Sequence, residues 1–287
     1  MAIGADGSIN AEPMIAAPQI RTTSSIPVSD VDLDIMVAAA QAAGHEVLKH
    51  FRPGEKTTAR IDMKTGGSPV TQADLAANHL LRDHLSRAFP FAAWMSEEDP
   101  DHVGRLDYLD VLVIDPIDGT RAFIEGDPRF TISLALVRAG RPIAAVLHAP
   151  ALLQTFTALA GKGASLNGTP LRLARLTDDQ EIRAAGPKPM LDELAQSGLC
   201  ILPQLRVPSL ALRLAQVASG ALQVAFAAGN SHDWDIAAAD LIVWESGATL
   251  SSLTGEVPVY NLLDRVHGPL VAAAPGLHAR LMQNAAK

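Results

Sequence analysis

The sequence predicts a mixed α/β chain, an α+β first half followed by an α/β second half, and three observations carry that prediction. Two capped amphipathic segments come first. An apolar alternating run punctuated by hairpin turns begins near residue 111, and from about residue 181 short apolar runs alternate with helical ones closed by glycine. The halves are expected at 29–180 and 181–287, with polar Thr177-Asp178-Asp179-Gln180 between them. Residues 1–28 show scattered Gly, Pro, Ser and Thr without periodicity and read as a flexible tail.

Ser29 can cap a helix from about Asp30, with Val31, Ile35, Val37, Ala38, Ala42, Val47 and Leu48 as its apolar stripe and Pro53-Gly54 beyond its end. After a loop with Gly66-Gly67 and Pro69, Thr71 caps a second helix. Asp74 stands three residues on, as a capping box requires, and Leu75, Leu80, Leu81, Leu85 and Phe89 supply a core face. Residues 91–95 read as a short strand that enters the acidic run Ser96-Glu97-Glu98-Asp99-Pro100. Val111-Leu112-Val113-Ile114 reads as a buried strand, and 130–138 and 142–148 as a pair joined at Ala139-Gly140-Arg141. Asn167-Gly168 marks another hairpin. Further on, 210–217 and 234–246 read as helices closed by Gly220 and Gly247, 222–227 and 270–274 as strands, and 276–284 as a last helix. Trp94 and Trp244 read as core residues.

A chain of 287 residues, 48% hydrophobic and 19% charged, can bury a substantial core and is not of disordered type. Its net charge of −8 argues against a nucleic-acid polymer as partner, because phosphate backbones require basic surfaces. A small anionic ligand remains compatible if a bound cation inverts the local field. Cys200 is the single cysteine, which excludes an intramolecular disulfide and suits a cytoplasmic setting. No apolar run approaches the ~20 residues that span a bilayer, so no membrane association is expected. His79 and His84 are five apart and fit no zinc-ligand helix pattern, and His232 reads as a loop histidine.

The most informative stretch is Asp115-Pro116-Ile117-Asp118-Gly119-Thr120, directly after the strand at 111–114. Pro116 and Gly119 should end that strand and hold two carboxylates on a stiff turn, where they could serve as oxygen ligands to a hard divalent cation. An ordinary turn also explains these residues, since Asp-Pro and Asp-Gly are turn formers. Asp74, Glu97 and Asp235 are further acids at the edges of apolar elements. Read singly, Asp74 and Asp235 are helix caps and Glu97 belongs to a solvated loop. Gathered in space, such carboxylates repel by about 4 kcal/mol per pair at ~4 Å and an effective dielectric near 20, and cations would make the cluster favourable.

Asp115-Pro-Ile-Asp-Gly-Thr120, with Glu97 upstream and Trp234-Asp235 downstream, resembles the inositol monophosphatase-like superfamily of Mg²⁺-dependent phosphatases over residues 30–285. Lys64, Ser68 to Asp74, Ser96 to Pro100, Gly119 to Ile124 and Phe130 to Val137 look most like bacterial 3'(2'),5'-bisphosphate nucleotidases, which act on adenosine 3',5'-bisphosphate in sulfate assimilation. The resemblance implies a layered αβαβα sandwich and two or three Mg²⁺ ions. It places one ion on Glu97, Asp115 and the Ile117 carbonyl, a second on Asp115, Asp118 and Asp235, and a weaker third on Glu97 through water. Asp74 with Thr120 would orient the attacking water. The Gly119 and Thr120 N–H groups would face the phosphate, with Arg121 and Arg213 also near the substrate, alongside Asp118 and Asp235. Ala228 stands where inositol monophosphatases usually carry a Glu that contacts an inositol hydroxyl, and Ser209 where enteric-type nucleotidases usually carry Gly. Inositol-1-monophosphatase, histidinol-phosphate phosphatase and a catalytically silent metal-binding regulatory relative are the alternative readings, and the resemblance makes a homodimer the usual assembly.

Overall fold

Ser29 and Thr71 start the first two helices by the same device. Ser29 Oγ accepts the Asp32 N–H (3.3 Å) while the Asp32 carboxylate accepts the Ser29 N–H (2.8 Å), opening α1 (Asp30–Leu48). Two short strands follow, β1 (Ile61–Met63) and β2 (Pro69–Thr71), paired antiparallel. Thr71 and Asp74 then repeat the reciprocal cap on α2 (Gln72–Ala88). The computed structural model describes residues 28–173, 181–196 and 199–285, so the expected tail, apart from Val28, and the polar stretch at 177–180 lie outside the described residues.

The buried face of α1 matches the predicted stripe only in part: Val47 is buried and Val37 and Leu48 pack against the core, but small residues supply most of the face. Met36, Ala39, Ala40, Ala43, Gly44 and Val47 are buried, whereas Val31 is 66% exposed. Small residues win because this helix approaches its neighbour closely: a Cβ on Gly44 would lie 2.7 Å from His148 Cδ2. On α2, Leu81 and Leu85 are buried as expected, but Leu75 is exposed and its place is taken by a polar line, Asp74 and Asn78.

The main sheet has seven strands in the order β3 (Ala93–Ser96), β4 (Asp110–Asp118), β5 (Thr131–Arg138), β6 (Arg141–Ala149), β7 (Gln154–Leu159), β8 (Gly163–Leu166), β9 (Thr169–Leu171). A short helix, α3 (Thr120–Ile124), joins β4 to β5. Only β3–β4 pairs parallel. The strand expected at 91–95 begins at Ala93, and Phe91 stays in the preceding turn, 68% exposed. Alternation along the sheet feeds two cores. Leu112, Ile114, Leu134, Leu136 and Val146 pack with α1 and α2, and Val111, Val113, Ala135, Val137 and Leu147 face the opposite side.

The second sheet has five strands in the order β11 (Ile201–Pro203), β10 (Ile182–Ala185), β12 (Val224–Ala227), β16 (Leu270–Ala273), β14 (Thr249–Ser252). Helices α5 (Leu210–Ala218) and α6 (Asp233–Glu245) lie between the two sheets, α6 buried on nearly every side. Helices α4 (Lys188–Ala195) and α7 (Leu277–Ala285) flank the outer core, formed by Ile182, Val224, Phe226 and Val271. A two-residue pair, β13 (Ser231–His232) and β15 (Val266–His267), precedes and follows α6. The layers are α, β, α, β, α, the expected sandwich. Trp244 departs from expectation: it follows Val243, the last buried position of α6, and is 54% exposed. Among the described residues no helix is long and apolar enough to cross a membrane.

Candidate metal centre and active site

The strand carrying Asp115 does not stop at Ile114. β4 runs on to Asp118 through a bulge: Asp115 opposes Ser133 and Asp118 opposes Thr131, leaving an extra residue on β4 between those pairs. Pro116 is tolerated there because a bulged position need not donate to the ladder. Asp115 Oδ1 accepts the Ile117 N–H (3.0 Å), which fixes the carboxylate on the bulge. Gly119 follows at φ +97°, and a Cβ there would lie 3.3 Å from the Ser209 nitrogen. The glycine thus serves both the turn and the close approach of the second half.

Asp118 is held by that second half. Its carboxylate accepts the Ser209 O–H (2.5 Å) and the N–H groups of Leu210 (3.2 Å) and Ala211 (2.7 Å), the orphan donors at the start of α5. Asp235 lies in the first turn of α6, where its Oδ2 accepts the His232 N–H (2.6 Å). Oxygen atoms of Asp115, Asp118 and Asp235 lie within 4.8 Å of one another. Burial, then the charges of Glu97, Asp118 and Asp235, push the Asp115 carboxyl well above the usual range. Asp118 is pushed up to about 7, by burial first and Asp235 next, against the hydrogen bonds it accepts. Clustered carboxylates with an oxygen-only donor set are the chemistry of a hard divalent cation, so the residues fit such an ion.

Glu97 lines the same cavity, but its Oε1 accepts from Lys64 Nζ (2.7 Å), which also donates to Glu98 (2.8 Å). Burial works against the Lys64 charge, and the two carboxylates more than offset it, raising its pKa. Asp74 uses both oxygens. Oδ2 accepts the Thr71 N–H (2.8 Å) and O–H (2.6 Å), and Oδ1 lies 3.3 Å from Thr120 Oγ. The Thr120 hydroxyl also lies 3.0 Å from the Ile117 carbonyl, so its one proton has two acceptors and its lone pairs remain for a third partner. Burial raises the Asp74 pKa to about 6 despite the Thr71 hydrogen bonds.

These groups meet at a cavity of about 530 Å³ lined also by Gly119, Arg121 and Arg206. Thus Asp115, Asp118 and Asp235 converge, Glu97 joins them through the wall, and Asp74 and Thr120 pair beside them. Arg213 does not line the cavity: it is 5% exposed and donates from Nη1 to the Val207 carbonyl (3.0 Å). Ala228 is exposed and also absent from the lining. Three partners went unread in the sequence. Ser209 is legible as a cap, but not as the partner of Asp118, 91 residues away. Asn78 accepts from Ser96 (2.8 Å) and donates to Asp99 (2.9 Å), tying α2 to the acidic run; its spacing of four from Asp74 was the available signal. Arg206, between Leu205 and Val207, carries no local signal in the sequence.

A profile of the inositol monophosphatase family matches residues 29–287. Nus factor SuhB of Salmonella typhimurium is 34% identical over 261 residues, covering 88% of this chain and 94% of that protein. The inositol-1-monophosphatase of Mesorhizobium japonicum is 32% identical over 78% of this chain and 86% of its own. The 3'(2'),5'-bisphosphate nucleotidase CysQ of Haemophilus influenzae is 28% identical over 77% and 86%.

Proposed function

The chain belongs to the inositol monophosphatase family of phosphatases, and from that premise we propose a Mg²⁺-dependent phosphomonoesterase whose first-choice substrate is adenosine 3',5'-bisphosphate. The observation that carries the phosphatase reading is the convergence of Asp115, Asp118 and Asp235 next to the Asp74–Thr120 pair. Asp115 and Asp118 with Asp235 would hold one Mg²⁺. Glu97 with Asp115 and the Ile117 carbonyl would hold another, and Glu97 would share a weaker third through water. Bound there, the ions supply charge neutralisation at the phosphoryl group and a water acidic enough to attack at neutral pH. The chain's own groups do the positioning. Thr120 donates to Asp74, turning its lone pairs to the cavity to accept a proton of the attacking water, while Asp74 remains the acceptor behind it. The Gly119 and Thr120 N–H groups would face the phosphate, and no covalent phosphoenzyme forms.

Two observations support the nucleotide: the residue at 228 is Ala, without a carboxylate for an inositol hydroxyl, and Arg121 lines the cavity without a side-chain partner among the described residues. The relative named an inositol-1-monophosphatase, more similar than the nucleotidase, favours inositol 1-phosphate as the second reading. A silent regulatory role is disfavoured because both Asp74 and Thr120 are present and placed together. Phosphate release with Mg²⁺ from adenosine 3',5'-bisphosphate, inositol 1-phosphate and histidinol phosphate, side by side, is the test. A preference for the first supports the nucleotidase, a preference for another keeps the phosphatase and changes the substrate, and no release from any refutes both.

A further inference from the structure

We propose that Arg206, together with Arg121, forms a subsite for a second phosphate on the substrate, and that buried Arg213 is a positioning residue for it. This rests on the phosphatase reading of the same cavity. The cavity wall is rich in carboxylates, including Glu125 and Asp127 besides the clustered acids, yet neither Arg121 nor Arg206 has a side-chain partner among the described residues. The other cations nearby are engaged: Arg129 is locked on Asp127 (2.5 Å) and Lys64 on Glu97 and Glu98. Two exposed, uncommitted guanidinium groups beside the metal-binding acids match a phosphate that sits outside the reacting centre, for which the planar fork is well shaped.

Arg206 is on a main chain pinned from three sides. Its carbonyl accepts from Arg129 Nη1 (3.2 Å), the next carbonyl, Val207, accepts from Arg213 Nη1 (3.0 Å), and Ser209 donates to Asp118 (2.5 Å). The base of the Arg206 side chain is therefore fixed relative to a clustered carboxylate. Arg213 is buried with no partner for its Nε among the described residues, and its charge acts on both Arg206 and Asp118. A buried guanidinium whose one acceptor among the described residues is a backbone carbonyl is costly to keep. Its placement behind Val207 gives it a use: it anchors the segment that carries Arg206.

The experiment compares kcat/KM for adenosine 3',5'-bisphosphate and adenosine 3'-monophosphate, which share the reacting phosphate and differ in the second one. Wild type should prefer the bisphosphate, and Arg206→Gln and Arg121→Gln should each shrink that preference about tenfold, through KM, equivalent to about 1.4 kcal/mol. Arg213→Gln should raise KM for the bisphosphate alone, with Arg213→Lys restoring it. An unchanged preference in Arg206→Gln, or equal loss on both nucleotides, overturns the subsite. Wild type that hydrolyses 4-nitrophenyl phosphate and both nucleotides without preference also overturns it and leaves the phosphatase standing. If wild type hydrolyses nothing, the phosphatase reading falls, and calorimetric Kd values for the two nucleotides in wild type and Arg206→Gln decide the subsite: equal ratios refute it.

Discussion

Asp74 divides its two oxygens between two duties. One closes the cap on α2 with Thr71, and the other faces the Thr120 hydroxyl at the cavity. Cap and active-site acid look like competing readings in the sequence, and in the folded chain the same carboxylate closes the cap and meets the Thr120 hydroxyl, so the two readings are compatible. Replacing it separates them. Asp74→Asn can keep an oxygen at the cap but turns an N–H₂ towards Thr120, so kcat should fall by about 10²–10⁴ with little change in urea stability. Thr71→Ala should lower stability by about 1 kcal/mol through the lost cap. A normal kcat in Asp74→Asn would remove Asp74 and Thr120 from the mechanism. Asp115 offers a second contrast. Burial and neighbouring acids raise its pKa, so the ionised form is disfavoured in the metal-free fold. Asp115→Asn should abolish turnover, yet in EDTA it should melt no lower than wild type, because the amide has no charged form for burial to disfavour. Surviving turnover would mean the ligand assignment is wrong.

At the scale of elements, the sequence was legible where local chemistry decides and illegible where packing does. Both capped helix starts, the alternating strands and the glycine stops could be read directly. The continuation of β4 through Pro116 to Asp118 could not, because a bulge is a relation between two strands and Pro-Gly punctuation argues for a turn. The small-residue part of the buried face of α1 is illegible for a similar reason: Ala39, Ala40, Ala43 and Gly44 are chosen by the closeness of β6, not by hydrophobicity. That close contact carries a pH dependence. His148 on β6 is buried against α1, with Nδ1 2.9 Å from Thr155 Oγ, and burial lowers its pKa to about 4. In the unfolded chain it titrates near 6.5, so the unfolded state gains a proton first as pH falls. Its stability contribution is present above about 6.5 and is lost as pH falls towards 4. Between pH 6.5 and 4.5, urea denaturation should show wild type losing on the order of 2 kcal/mol more stability than His148→Gln. Equal losses in the two proteins would mean His148 does not titrate in this way.

At the scale of the molecule, the site lies where the seven-stranded sheet meets the helices between the sheets. Asp115 and Asp118 come from β4, Asp235 from α6, and Asp118 also caps α5, so the same carboxylates that would hold cations join the two halves of the chain. The motif at 115–120 made this centre visible in the sequence, but the Asp118–Ser209 bond and the place of Arg206 depend on contacts across some 90 residues that no local pattern encodes. A site that bridges halves ties cation binding to global stability. Without a cation, Asp118 is favoured in its protonated form up to about pH 7, whereas in the unfolded chain it ionises near 3.8. A raised folded-state pKa means that stability falls as pH rises through that window. In EDTA, the melting temperature should therefore decline relative to that in saturating Mg²⁺ as pH rises between about 4 and 7. At a hundred times its Kd the ion contributes about 2.7 kcal/mol, about 5 °C for a chain of this size. Ca²⁺ should restore much of the melting temperature but little turnover, because its longer, more numerous oxygen contacts do not reproduce octahedral Mg²⁺ geometry, and Li⁺ in millimolar amounts should inhibit. Identical melting curves in EDTA and Mg²⁺ across the pH range would show that these carboxylates hold no structural cation, and turnover in Ca²⁺ equal to that in Mg²⁺ would show that octahedral geometry is not what the site selects.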